Sequence, residues 1–139
     1  MSLAFWVLLL FSGSGDASSD FVVIVSEESA LKHLARWQLR QIYLKKRDRI
    51  GRLMITPLHL PEGTPLRRTF DTYLFGGNFP TREYWLKQRL QAREAPPIVV
   101  KNQAYVLSYV ERNPGFLGYI GKETIGELKN FRVRVVRID

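Results

Sequence analysis

The segment ITPLHLPEGTPLRRTFDTYLFG, residues 55–76, carries the strongest fold signal of the chain. Its apolar first half predicts a strand, and a Pro-Glu-Gly turn then leads into a helix expected over residues 65–75. Thr64 is a favourable N-cap and Pro65 a favourable first helical residue. The Gly-Gly pair that follows ends the helix. The segment therefore predicts a strand, a tight turn and a helix in that order.

The same alternation continues on both sides of this segment. Apolar, β-branched runs predict strands and amphipathic spacing predicts helices. An alternating order of this kind indicates an α/β sandwich. The predicted strands cover residues 20–26, 53–60, 98–100, 116–120 and 131–138, and the predicted helices cover residues 36–44, 65–75, 81–91 and 102–113, with Asn102 as cap of the last.

The bulk composition excludes several classes of protein. The 139 residues carry 21 Lys and Arg against 13 Asp and Glu, a formal net charge of +8, which favours acidic partners without choosing among them. Cysteine is absent and only two histidines are present, so we expect no disulfide, no metal centre and no cofactor. Catalytic signatures such as G-x-S-x-G or H-E-x-x-H are missing, which predicts a protein that is not an enzyme.

The first nineteen residues differ from the rest. Residues 3–11, LAFWVLLLF, form an unbroken apolar run that is too short to span a bilayer as a helix. This run and the small residues after it are typical of a secretory signal peptide. We therefore expect a signal peptide over 1–19, a single domain over 20–139, export to the periplasm and no stable membrane span. The alternative is a buried N-terminal strand or helix.

The start of the helix at residue 65 is the candidate binding site. Gly63 lets the backbone approach a ligand, Thr64 offers a hydroxyl, and the first helical amides, including that of Leu66, have no helical partner. Arg67 or Arg68 could pair with a bound oxyanion. The alternative is simple N-capping of the helix, with both arginines in solvent.

Three other features have two interpretations each. The basic run Lys45, Lys46, Arg47, Arg49 and Arg52 is either a solvated turn or a surface for nucleic acid or anionic lipid. We expect no nucleic-acid partner, because no aromatic residue interrupts the run.

Arginines on the strand at 131–138 predict a protected sheet edge or a docking edge. His59 lies in an apolar run and is interpreted as structural, whereas His33 is interpreted as a residue of a helix surface.

Three segments, 34–50, 55–76 and 106–121, together resemble the substrate-binding proteins of phosphate ABC transporters. The resemblance implies one lobe of a type II periplasmic binding protein, a three-layer α/β sandwich, with phosphate or a related oxyanion as ligand. The residues that carry it are Leu39, Ile42, Tyr43, Leu44 and Lys46, then Thr64, Phe70, Tyr73 and Leu74, then Val110, Pro114, Gly115, Leu117, Gly118 and Tyr119.

The chain departs from this family in two ways. It resembles only the second of the two lobes that close on phosphate, and Pro65 and Leu66 replace the Gly and Thr of the family's anion loop. The family's loop arginine would fall near Leu60. We therefore expect weak oxyanion binding at Gly63, Thr64, Leu66, Arg67 and Arg68. The alternative is a periplasmic interaction module that keeps the fold, has lost the ligand and binds an envelope protein.

Overall fold

The computed structural model describes residues 20–139, and the predicted leader over 1–19 lies outside the described residues. The predicted helices are confirmed to within one residue at each end. The strands are β1 (Phe21–Ser26), β2 (His33–Leu34), β3 (Arg49–Ile50), β4 (Leu53–Met54), β5 (Thr56–His59), β6 (Ile98–Val99), β7 (Phe116–Gly121) and β8 (Val133–Ile138). The helices are α1 (Arg36–Tyr43), α2 (Pro65–Phe75), α3 (Thr81–Gln91) and α4 (Gln103–Arg112), followed by a 3-10 helix at Lys122–Asn130.

One mixed sheet organises the domain. Its strand order is β2-β8-β1-β7-β5-β6, and β3 pairs with β4 in a separate hairpin. β5 runs parallel to β7 and β6, whereas β1 runs antiparallel to β7 and β8. The ends of β5, β6 and β7 therefore lie at one edge of the sheet, the carboxyl edge, and their starts lie at the opposite amino edge. Because α2 follows β5 and α4 follows β6, both helices begin at the carboxyl edge.

Helices cover both faces of this sheet, because successive residues of a strand point to opposite sides. Gly118 faces α4, where an added Cβ would lie only 2.6 Å from Cγ1 of Val106. Tyr119 faces the other layer, and its ring stacks on Phe70 of α2 with a centroid separation of 3.7 Å. Tyr43 of α1 lies on the same side as Tyr119. The predicted three-layer α/β sandwich is confirmed.

The family-like residues turn out to be mostly core residues. Edge-to-face contacts surround the stacked pair of Phe70 and Tyr119, and they come from Phe21 of β1 and Tyr43 of α1. Such aromatic pairs add to the stabilisation that burial itself provides. The other buried residues of the resemblance are Leu39, Ile42, Leu44, Leu74, Val110, Leu117 and Gly118.

Two strand predictions are wrong in detail. The run at 53–60 is not one strand, because the amide of Ile55 donates to the carbonyl of Asp48 at 2.8 Å and divides it into β4 and β5. β8 is not a sheet edge, because it pairs with β1 on one side and with β2 on the other.

The prediction that His33 lies on a helix surface is also wrong, because His33 lies in β2. The 3-10 helix at Lys122–Asn130 was not predicted.

Candidate oxyanion site at the carboxyl edge

Three loops meet at the carboxyl edge, one after each of β5, β6 and β7. They enclose a cavity of about 280 Å³ that we call the carboxyl-edge cleft. In α/β sheets, ligands bind beyond the carboxyl ends of parallel strands. The starts of α2 and α4 both form part of the wall of the carboxyl-edge cleft. The lining residues are Leu60, Pro61, Thr64, Pro65, Leu66, Lys101, Asn102, Gln103 and Glu123.

The first turns of α2 hold the preceding loop by its carbonyl oxygens. Thr64 is at the predicted N-cap position, but its hydroxyl donates backwards to the loop and accepts no helical amide. The two arginines also donate to carbonyls of this loop. The loop therefore directs carbonyl oxygens, which carry partial negative charge, toward the positive end of the helix dipole. The contacts are Thr64 Oγ1 to Pro61 O (2.8 Å), Arg67 Nη1 to Leu60 O (3.0 Å) and Arg68 Nη1 to Gly63 O.

Two amides at the start of α2 precede the helical hydrogen-bond ladder. The amide of Arg68 makes the first bond of the ladder, to the carbonyl of Thr64 at 3.0 Å. Leu66 and Arg67 come before it, and their amides therefore have no carbonyl of an earlier helical turn to donate to. Pro65 has no amide proton at all. The helix start thus offers fewer donors than a start without proline.

The residues that the sequence singled out line three separate cavities. Thr64 and Leu66 line the carboxyl-edge cleft, Arg67 lines a cavity between α2 and α3, and Arg68 lines another between α1 and α2. Gly63 makes the turn with φ +89°, a left-handed conformation that glycine adopts without strain. The structure therefore brings Thr64 and Leu66 together in the cleft, whereas neither Arg67 nor Arg68 is among its lining residues.

The other half of the cleft comes from α4 and the 3-10 helix, and sequence analysis did not include it in the site. Asn102 was predicted only as a helix cap, and this role is confirmed, because its Oδ1 accepts from the amide of Tyr105 at 3.1 Å. A signal was present, since the strand and capped helix near residues 98–113 repeat the pattern of 55–76. The residues missed are Lys101, Asn102, Gln103 and Glu123.

A carboxylate already lies in the cleft. Gln103 donates from Nε2 to Oε2 of Glu123 at 3.2 Å and accepts with Oε1 from the amide of Gly121 at 2.8 Å. The backbone amide of Glu123 itself, and then Gln103, lower the pKa of the Glu123 carboxyl. Glu123 is therefore ionised at neutral pH and opposes a bound anion, whereas Lys101 favours one.

A polar cluster behind the cleft fixes the loop that leaves β5. The hydroxyl of Tyr119 accepts from the amide of Leu60 at 3.2 Å and lies 2.6 Å from Nδ1 of His59. Donation from Tyr119 to Nδ1 leaves the proton of the neutral ring on Nε2, which lies 3.2 Å from Oδ1 of Asp71. That oxygen receives no well-aligned hydrogen bond, but Arg67 Nε donates to Oδ2 at 3.1 Å.

The buried His59 predicts a pH dependence of stability. Burial lowers the pKa of His59 below its ordinary value of 6.5; Asp71 opposes this shift, and the positive charge of the nearby Arg67 adds to it. The unfolded chain therefore binds the proton more readily than the folded chain. We expect the free energy of unfolding to fall as the pH falls below about 6.5.

Urea denaturation at several pH values measures this effect. His59→Gln is expected to remove the acid-side slope that His59 contributes. His33→Gln, which removes the exposed histidine, is the matched control and is expected to retain it. An identical slope in the wild-type protein and in His59→Gln would contradict the assignment.

Within residues 20–139 we find no group of three or more His, Asp or Glu side chains placed to hold a metal ion. None of the helices in this part of the chain has the length and apolar character needed to cross a membrane.

Several solved structures have a fold similar to that of this chain. The chain matches an ABC-type phosphate transport receptor from Vibrio cholerae with a TM-score of 0.64 and 16% identity, over 86% of this chain and 46% of that chain. It matches PstS from Borrelia burgdorferi with a TM-score of 0.68 and 15% identity, over 86% and 47%. No family model matches the sequence, and no curated protein matches it significantly.

A third match carries a ligand. It is a chain from Clostridium perfringens described as a phosphate ABC transporter substrate-binding protein with bound phosphate, at a TM-score of 0.68, 18% identity, and 86% and 45% coverage. The chain thus spans less than half the length of each of these structures. It has the fold of one part of phosphate ABC transporter substrate-binding proteins, and the resemblance recognised in the sequence is confirmed at the level of the fold.

Proposed function

We propose that the chain is an exported, non-enzymatic domain that binds phosphate or a related oxyanion weakly in the carboxyl-edge cleft. The observation that carries this proposal is the meeting of two helix starts at the carboxyl edge of three parallel strands, beside Lys101. Each helix start presents amides and a positive dipole end to the same space. The fold shared with phosphate-binding proteins supports the same ligand class.

Weak affinity follows from three features of the cleft. The cleft lies at the surface of the domain, where Lys101 and Glu123 are exposed and water and salt screen charge-assisted contacts. Pro65 removes one amide donor. The carboxylate of Glu123 stands on the opposite wall and repels an anion. We therefore expect a dissociation constant on the order of 1 mM for phosphate.

Gly63, Arg67 and Arg68 act indirectly in this proposal. Gly63 shapes the turn, and the two arginines hold the loop by its carbonyls, which leaves Thr64 and Leu66 to face the ligand. Substitution of Arg67 would therefore disturb the loop as well as the charge. Lys101 and Glu123 are better reporters of binding, because both are exposed at the cleft.

Calorimetric titration with phosphate at constant ionic strength tests the proposal. We expect saturating heat for the wild-type protein, severalfold weaker binding for Lys101→Gln and severalfold tighter binding for Glu123→Gln, because each change alters the charge at the ligand. Lys129→Gln on the 3-10 helix is the matched control and is expected to bind as the wild type does. No saturating heat up to several times the expected dissociation constant would contradict the proposal.

One observation favours an interaction module as the second candidate. Ile98 and Val99 of the edge strand β6 are about half exposed, and with Tyr105 and Tyr109 they line an open groove of about 410 Å³. Exposed apolar patches of this kind occur at protein interfaces. The chain would be an interaction module if it gives no heat with phosphate and if Val99→Ser weakens its binding to an envelope protein.

A further inference from the structure

A second charged surface lies at the amino edge, opposite the cleft. It comprises the turn after α1, the β3–β4 hairpin and the end of α3, and we call it the basal surface. The basal surface lies at the amino edge because Thr56, the first residue of β5, lines its cavity. Glu94, which follows α3, lines the same cavity, so the end of α3 belongs to this surface. These elements enclose a cavity of about 310 Å³, lined by Lys45, Lys46, Arg47, Asp48, Met54, Ile55, Thr56 and Glu94.

The cations of this surface exceed its acids. Within the described residues, no carboxylate lies at ion-pair distance from Lys45, Lys46 or Arg52. Arg47 is held in place by Gln41, whose Oε1 accepts from its Nε at 2.9 Å, and by the ring of Trp37 at 5.3 Å. The cavity is therefore a polar space in which Lys45, Lys46 and Arg47 outnumber the carboxylates of Asp48 and Glu94, and this positive balance suits a phosphate group.

Exposed apolar side chains accompany these cations. Met54 on the β3–β4 hairpin is 50% exposed, and Leu90 in the last turn of α3 is 74% exposed. Trp37, beneath Arg47, is 56% exposed. Cations interspersed with aliphatic side chains and tryptophan are typical of surfaces that lie on a bilayer. Nucleic acid would leave the aliphatic side chains without a partner.

We propose that the basal surface docks peripherally on an anionic phospholipid bilayer. Lys45, Lys46 and Arg52 attract the lipid phosphates, the cavity accepts a headgroup phosphate, and Met54 and Leu90 enter the boundary with the acyl chains. A bilayer fits better than an acidic protein, because the exposed apolar side chain of Met54 lines the cavity among the cations, and a bilayer offers phosphates and acyl chains together. Docking in this orientation leaves the carboxyl-edge cleft facing the solvent.

Vesicle co-sedimentation tests this proposal independently of phosphate binding at the cleft. The full chain is used, so that the apolar run 3–11 is present in every sample. We expect binding to vesicles of phosphatidylcholine with about 30% phosphatidylglycerol to exceed binding to neutral vesicles, and to weaken at about 1 M salt. Lys46→Glu with Arg52→Glu should weaken binding to the anionic vesicles by more than about tenfold.

A matched pair of charge reversals serves as the control. Lys122→Glu with Arg137→Glu changes the net charge equally, and both exposed positions lie at the carboxyl edge, after β7 and near the end of β8, so this protein should retain most of the binding. Leu90→Ser should weaken binding severalfold without changing the salt dependence. Equal losses in the two charge-reversed proteins, equal binding to neutral vesicles, or stronger binding to polyglutamate than to anionic vesicles would each overturn the proposal. Binding of inorganic phosphate without vesicle binding would also overturn it.

Discussion

Phe70→Ala is expected to lower the free energy of unfolding by about 3–5 kcal/mol, because it removes the centre of the aromatic core. Phe70 is 0% exposed and stacks on Tyr119 with the rings 6° from parallel. Its edges also meet the rings of Phe21 and Tyr43 at 5.1 and 4.8 Å. Alanine loses these contacts and leaves a cavity that α1, α2 and the sheet surround, so the site cannot collapse easily.

Urea denaturation followed by circular dichroism measures this loss. Leu86→Ala on the exposed side of α3 is the control and should change the free energy of unfolding by no more than about 0.5 kcal/mol. A loss below about 1.5 kcal/mol for Phe70→Ala would show that the packing between α2 and the sheet is looser than described.

Arg67→Ala is expected to destabilise the protein by about 2–3 kcal/mol, the second of the two largest effects. The Arg67 side chain is only 13% exposed, and its guanidinium donates to both the carbonyl of Leu60 and Oδ2 of Asp71. Its removal leaves the partly buried Asp71 carboxylate with His59 as its remaining close polar neighbour. The cost arises from the groups left behind more than from the loss of a favourable contact.

The adjacent Arg68→Ala provides the matched control for this prediction. Arg68 is exposed and donates only to the carbonyl of Gly63, so its loss should cost no more than about 0.5 kcal/mol. The same denaturation experiment compares the two proteins. Equal effects of the two substitutions would contradict a structural role for Arg67, and an Arg67→Ala protein as stable as wild type would point to a guanidinium held for a ligand.

Only part of the candidate site comes from the segment that the sequence analysis identified. The sequence located the start of α2 and proposed Thr64 and Leu66, which line the cleft. It could not locate Lys101 or Glu123 in the same space, because they come from other strand–helix units of the chain. Nor could it distinguish an arginine that faces a ligand from one that holds a loop carbonyl, since both are residues of the first helical turns.

The sequence by itself determined the alternating order of the long strands and helices, the helix bounds and the resemblance to a phosphate-binding lobe. These properties depend on periodicity, on caps such as Asn102 and on turn residues within a few positions of one another. Only the tertiary structure decided that β8 is internal, that α2 and α4 begin at one cleft and that Arg67 pairs with Asp71. The physical reason is that strand pairing and burial join residues far apart in the chain, and local spacing carries no record of those contacts.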